Sequence, residues 1–153
     1  MAKYTFTIPG TPEGQGRPRF RTITAKDGRS FATAYDPKQS RNWKQTVCAT
    51  AIAHGVKQID GPVRLIVRAF LPRPQRLCRK ADPIGPVFAL CKPDFDNIAK
   101  GISDALIGVA FADDAAVVSG HCQKFYHEIG GMPRTEVIVE SLQTPTPQKA
   151  SEQ

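Results

Sequence analysis

Five aspartates, Asp94, Asp96, Asp104, Asp113 and Asp114, gather between positions 94 and 114 of the stretch KPDFDNIAKGISDALIGVAFADD, and the one Lys or Arg among them is Lys100. That window sums to −4 in a chain that carries +7 overall, which leaves +11 on the remaining residues. Carboxylates take hard divalent cations, and a basic surface takes phosphates. An acidic centre in a basic body therefore suits a protein that holds Mg²⁺ or Mn²⁺ against a polyanion. Hydrolysis of nucleic-acid phosphodiesters is the chemistry that follows. Asp94, Asp96 and Asp114, if brought together, would repel one another unless a cation compensated them. Lys100, which cannot ligate a metal while protonated, would stabilise negative charge on the phosphate or on the leaving oxygen.

These side chains need elements to position them. Lys92-Pro93 reads as extended, because the residue before a proline is pushed out of the α region. Asp94 can then cap a helix running from Phe95 to Ile107, whose apolar arc is Phe95, Ile98, Ile102, Ala105 and Leu106. Asp96, Lys100 and Asp104 recur every fourth residue on the opposite face, so Asp96 and Lys100 are neighbours on successive turns and can pair. Gly108 ends the pattern. Asp113 and Asp114 precede the β-branched Val117-Val118, which reads as a strand, and a strand returning beside the helix would bring Asp114 to Asp94 and Asp96. A plainer use of an acid pair at a helix start is capping and dipole compensation. A calcium-binding EF-hand loop is excluded, since Ala99 and Ala105 stand where its Gly and Glu are needed.

The run KPDFDNIAK, followed by Asp-Ala-Leu and then Asp-Asp-x-x-Val-Val, resembles the signature of the RusA family of Holliday junction resolvases, widespread in phages and prophages. The resemblance implies a metal-dependent endonuclease acting on four-way DNA junctions in recombination or repair, and working as a homodimer. It implies that Asp94, Asp96 and Asp114 bind Mg²⁺, with Mn²⁺ able to substitute, and that Lys100 is essential. Asp104 and Asp113 match further acids of the motif and are assigned supporting roles around the site. Gly101, a poor helix former inside the helix, and the short Ile107 to Ala112 connection depart from the family pattern.

The rest of the chain, 153 residues with 41% hydrophobic content, is long enough for one domain with a real core. No apolar run is long enough to span a bilayer, and MAKYTFTIPG lacks the features of a signal peptide, so a cytoplasmic protein without membrane partners is expected. Cys48, Cys78, Cys91 and Cys122 form no C-x-x-C pair and read as free thiols, and His54, His121 and His127 are too dispersed for a zinc site. Tyr4 to Ile8 reads as a strand. Within GTPEGQGRPRFRT, glycine and proline deny regular structure, while Arg17, Arg19 and Arg21 alternate and would track phosphates from one side of an extended arm. The Gly-x-Gly there is no phosphate loop, because no Gly-Lys-Ser/Thr follows.

Asp36-Pro37, with Gln39 as a capping-box partner, opens a helix to about His54, closed by Gly55 and carrying the stripe Trp43, Val47, Ala51 and His54. Val63 to Leu71 alternates as a half-buried strand. The proline-rich LPRPQRLCRKADPIGP places Arg73, Arg76, Arg79 and Lys80 before the acidic site, and is expected to stay mobile until it closes over a DNA backbone. Val87 to Leu90 is a short strand, Ala115 to Glu128 a long one with a bulge at Gly120, and Thr135 to Leu142 a last one with Val137 and Val139 on one face. The order predicts a single α+β domain over residues 1–142, with a mixed sheet of about four to five strands and two main helices, and a disordered tail over 143–153. Two other readings arise: a non-catalytic basic module that binds DNA junctions, and a nucleotide-sugar transferase using Asp-x-Asp. The second leaves the charge of +7 unexplained.

Overall fold

The computed structural model describes residues 1–145. The chain runs through β1 (Lys3–Pro9), β2 (Arg19–Thr24), β3 (Ser30–Tyr35), α1 (Lys38–Ala53), β4 (Val63–Leu71), β5 (Val87–Phe88), α2 (Phe95–Leu106), β6 (Val117–Tyr126) and β7 (Arg134–Ser141). Single 3₁₀ turns form at Gln75–Leu77 and Asp114–Ala116. Five strands make one mixed sheet in the order β1-β7-β4-β6-β5, and β2 and β3 make a separate two-stranded sheet. The expected α+β domain with two helices is what the chain forms. The tail lies outside the described residues beyond position 145.

Alternation decides which side of the sheet is covered. On β4, Val63, Leu65, Val67 and Ala69 are buried while Arg64 and Arg68 are exposed. Both helices contribute to the layer on the apolar side: Trp43, Val47 and Ala51 from α1, and Ile98, Ile102, Ala105 and Leu106 from α2, enter the same core as Val137 and Val139 of β7. Each fully buried aliphatic side chain there stabilises the fold by roughly 1.5–3 kcal/mol. The opposite side of the sheet carries cross-strand ion pairs, Arg64 with Glu140 at 2.9 Å and Arg68 with Glu136 at 3.3 Å.

The pairing of β4 with β6 is parallel, whereas every other pair in the sheet is antiparallel. A parallel pair needs a crossover, and α2 supplies it. A bulge does form in β6, but the register slips between Val63 and Arg64, across from Val118, instead of at Gly120.

Several local expectations change. The segment at 19–35 is a β-hairpin and not an irregular arm, because Phe20, Ile23, Phe31 and Tyr35 give it enough β-forming residues to pair. Asp36 does not cap α1; its carboxylate takes Lys44 Nζ at 2.9 Å, Pro37 holds the cap position, and Gln39 Nε2 donates to Glu13 instead. His54 and Phe95, placed on apolar stripes by periodicity, are both exposed, since each sits at a helix end that overhangs the core.

The Pro12–Gly16 segment lies against both helices. Gln15 N donates to Asn97 O of α2 at 2.9 Å, and Gly16 N donates to Ser40 Oγ of α1 at 2.9 Å. A Cβ on Gly14 would stand 2.8 Å from Pro93 Cβ, so a side chain there forces a shift beside the acidic motif. Gly101, buried beneath Gln15, differs: the nearest atom to an added Cβ would be Gln15 N, at an ordinary 3.5 Å, with Gln15 Cα at 3.9 Å and Glu13 O at 4.0 Å. Gly101→Ala is therefore expected to raise stability by about 0.5–1 kcal/mol, the helix-interior difference between the residues, and Gly14→Ala to lower it. Urea denaturation of the two variants checks this, and equal effects of the same sign would contradict the packing described.

Candidate active site

The acids of the motif are set by the ends of α2 and by the turn into β6. The peptide Lys92-Pro93 is cis, and Asp94 occupies the cap position of α2 without using its side chain as a cap. Its carboxylate instead receives Lys92 Nζ at 2.7 Å. That ammonium holds the Asp94 carboxyl below the usual range, opposed by partial burial and helped by the charges of Lys92 and Lys124. Lys124, to which the sequence pattern gave no role, reaches from β6 and donates to Cys91 O and, at 3.0 Å, to Pro93 O, tying the turn before α2 to the sheet. Its only sequence signal was a lysine on the helix-facing side of a strand.

Asp96 is exposed in the first turn of α2, where its Oδ1 accepts from Asn97 N at 3.0 Å. The pairing of Lys100 with Asp96 that the spacing allows is not made. Lys100 Nζ leans the other way, to Asp104 at 3.4 Å, and Asp104 lies 4.0 Å from Lys44 of α1 as well. Asp113 Oδ1 accepts from Ala115 N at 2.9 Å and so caps the 3₁₀ turn that carries Asp114. This bond lowers the Asp113 pKa. Asp114 is pushed up, first by its hydrogen bond and like charge with Asp113, with Lys100 opposing and Asp104 adding to the rise.

The acids thus fall into two groups on either side of Lys100. Asp94 and Asp96 stand at the start of α2, Asp94 near Lys124 of β6 and Asp96 over the groove lined by Gly120 and Cys122; Asp104, Asp113 and Asp114 stand toward the end of α2, near the start of β6. The expected gathering of Asp94, Asp96 and Asp114 is not made: Asp94 lies by Lys92 and Lys124, whereas Asp114 lies by Asp113, Lys100 and Asp104. Among the described residues, no three His, Cys, Asp or Glu side chains meet round one point. In donor type and charge the acids nevertheless fit a hard divalent cation, because Asp114 carries a repulsion from Asp113 that a cation would relieve.

Asp96 and Lys100 also line an apolar groove of about 360 Å³ between α2 and β6, with Leu65, Val67, Ala99 and Cys122 in its walls. Burial pushes the Cys122 thiol up to about 11, which makes it a poor nucleophile.

The basic residues separate as well. Arg17, Arg19 and Arg21 are exposed, the last two on the face of the hairpin that carries Tyr35, and the Arg21 guanidinium lies 5.6 Å from the Tyr35 ring. Arg76, Arg79 and Lys80 are exposed, with Arg79 3.4 Å from Asp82. Arg73 is not available to a backbone phosphate. It is buried, and its guanidinium donates to Leu77 O, Gly85 O and Pro83 O at 2.7–2.8 Å, so the proline-rich segment is organised round it. Proline and arginine content concealed this, because a buried guanidinium answers carbonyls that the sequence pattern leaves unassigned.

Over residues 9–140 the chain matches the family described as Endodeoxyribonuclease RusA, and that span takes in both helices, all the acids and the hairpin. The chain belongs to the RusA family. Membership gives it the class of Holliday junction-resolving endodeoxyribonucleases. It is also 35% identical over 144 residues to the uncharacterized protein YqaN of Bacillus subtilis (strain 168), covering 90% of this chain and 95% of that protein. In this RusA-family chain no helix among the described residues is long and apolar enough to cross a membrane.

The Asp113–Asp114 pair is expected to titrate in two steps in the metal-free protein, one below and one above the ordinary carboxylate range. Asp113→Asn removes the like charge, so the Asp114 carboxyl should fall back toward its ordinary value. Carboxyl ¹³C titration followed by NMR reads this directly, and an Asp114 midpoint that stays raised in Asp113→Asn would disprove the like-charge origin.

Proposed function

We propose that the chain is a metal-dependent, structure-selective endonuclease that cuts four-way DNA junctions as a homodimer. The observation that carries the reading is Lys100 on an exposed helix face with carboxylate groups on both sides, within a chain whose other residues are strongly basic. Asp94 and Asp96 on one side of Lys100 and Asp114 on the other would be the residues that hold Mg²⁺ or Mn²⁺, as one or two ions, which supply Lewis acidity at the scissile phosphate when bound. Lys100 would place its ammonium against the charge that develops on the phosphate. Lys124 keeps the turn at Asp94 in place, and Asp104 keeps Lys100 extended along the helix face. Two copies related by a twofold axis would match the two equivalent strands of a four-way junction.

The separation of Asp94 from Asp114 within one chain favours one other reading, a junction-binding module without catalysis. Cleavage decides between them. A labelled synthetic four-way junction incubated with Mg²⁺ is expected to give paired nicks, with linear duplex and EDTA controls uncut. Asp96→Asn and Lys100→Met should each lower the rate at least about a hundredfold, as loss of a transition-state charge partner does. A junction that is shifted in a gel but stays whole with both Mg²⁺ and Mn²⁺ would establish the binding module.

The exposed arginines give a second expectation. Each phosphate contact adds about one to the slope of log affinity against log salt, so replacing Arg19 and Arg21 together by Gln should reduce the slope by about two. An unchanged slope would remove the hairpin from the DNA contact.

A further inference from the structure

The hairpin of β2 and β3 is a ribbon without a buried residue. Every position from 19 to 35 is exposed or half-buried, and neither strand pairs with the main sheet. A two-stranded ribbon on its own is marginally stable in water, so one with no covered face points to a partner. The register gives each face its own aromatic ring. Phe20 lies across from Ala34, on the side shared with Thr22 and Ala32, whereas Phe31 lies across from Ile23, on the side shared with Arg19, Arg21 and Tyr35. Phe20 is 73% exposed and Phe31 53%. Rings standing in water on both sides call for an occupant that meets both sides.

Charge narrows that occupant. Residues 19–35 hold Arg19, Arg21, Lys26 and Arg29 against Asp27 alone, and Asp27 is already paired to Arg29 within the turn at 3.4 Å. A second copy of the chain would set like charge against like, so the hairpin suits a polyanion. Among polyanions, a nucleic acid also offers flat base faces to aromatic rings, which an acidic peptide does not. The root of the hairpin leads back to the acids. Arg17 and Arg19 line an open groove of about 530 Å³ with Ser40 and Pro93, and Pro93 adjoins Asp94. A DNA strand passing Asp94 would follow this groove to the hairpin, whose strands of six residues extend roughly 20 Å.

We propose that the hairpin is the element that distinguishes a four-way junction from a duplex, entering the junction's centre with Phe20 against a base on one side and Phe31 against a base on the other. The inference rests on the junction-cutting reading above and adds the residues that select the substrate. In an uninterrupted duplex, a side chain can meet a base face only after two stacked pairs have been driven apart, at a cost in free energy. Where four arms meet, the stack is already interrupted and base faces are open to the rings. Arg19 and Arg21 hold phosphates in either substrate, so they add affinity without choosing between them.

Binding is measured in EDTA, where no cut is made, by titrating the full chain into a labelled four-way junction and into linear duplex of the same sequence. Phe20→Thr and Phe31→Thr keep β-forming residues on the strands. Together they should lower junction affinity at least about tenfold, the scale of lost base–aromatic stacking, and leave duplex affinity within about twofold. Phe20→Tyr with Phe31→Tyr keeps both rings and should stay within a few-fold of the wild type on the junction. A fluorescent adenine analogue at the crossover should brighten when the wild type binds, as its base loses a stacked neighbour, and one placed in the middle of an arm should not. Equal losses on junction and duplex, no loss on either, or a crossover analogue that never brightens overturns the proposal. If replacing Arg19 and Arg21 lowers the salt slope while the Thr variants bind as the wild type does, the hairpin touches DNA and only its selecting role fails. If the Thr variants lose junction affinity alone while the wild type leaves junctions whole with Mg²⁺ and Mn²⁺, the cleavage reading fails and the selecting role stands.

Discussion

The parallel pairing of β4 with β6 is the constraint on which the rest of the structure depends. Parallel neighbours cannot be joined by a tight turn, so the chain must travel back along the sheet before β6 begins. The amphipathic α2 makes that journey, held by Ile98, Ile102 and Leu106, all fully buried. The crossover therefore fixes where every acid of the motif stands. Those that precede α2 fall near the end of β6, and those that follow α2 fall at its beginning. Lys100, midway along the exposed face, is the one cation of the motif in a position to serve both groups.

What surrounds α2 keeps that arrangement rigid. The Pro12–Gly16 segment closes against α1 and α2, and Lys124 ties the carbonyls of Cys91 and Pro93 to the sheet. The proline-rich segment ahead of the site is held from inside by Arg73, which answers three carbonyls at short range. A buried guanidinium is tolerated when its donors are all engaged, and removing it would leave the carbonyls it serves without partners. The basic residues thus divide by burial into those that build the scaffold and those that remain on its surface.

Electrostatics follows the same division. On the scaffold side, Arg64, Arg68 and Arg134 pair with Glu128, Glu136 and Glu140 across the solvent face of the sheet. Such exposed pairs contribute little individually, but they neutralise that face. Unpaired positive charge is left on the hairpin and on the segment before α2, and unrelieved negative charge is left at Asp113 and Asp114. A polyanion and a hard cation are the complementary ligands of these two regions.

Much of this was legible in the residue pattern. Period-two alternation marked β4 and β7, apolar spacing at 3.6 residues per turn marked α2, and the KPDFDNIAK run with its later Asp-Asp carried the family, because these signals are local and a few residues fix them. The hairpin at 19–35 was missed, since its pairing depends on β-forming residues facing each other across a turn and not on either strand alone. The sequence pattern offers Arg73 as a phosphate contact because composition reports charge and not burial. Sequence by itself determined the elements, the acids and the basic balance, all of which depend on side-chain type and spacing. Tertiary structure alone decided that Lys100 turns to Asp104, that Asp114 stands apart from Asp94, and that the hairpin pairs apart from the main sheet. Each of these depends on which strand lies beside which and in what register, and register is set by packing between segments far apart in the chain.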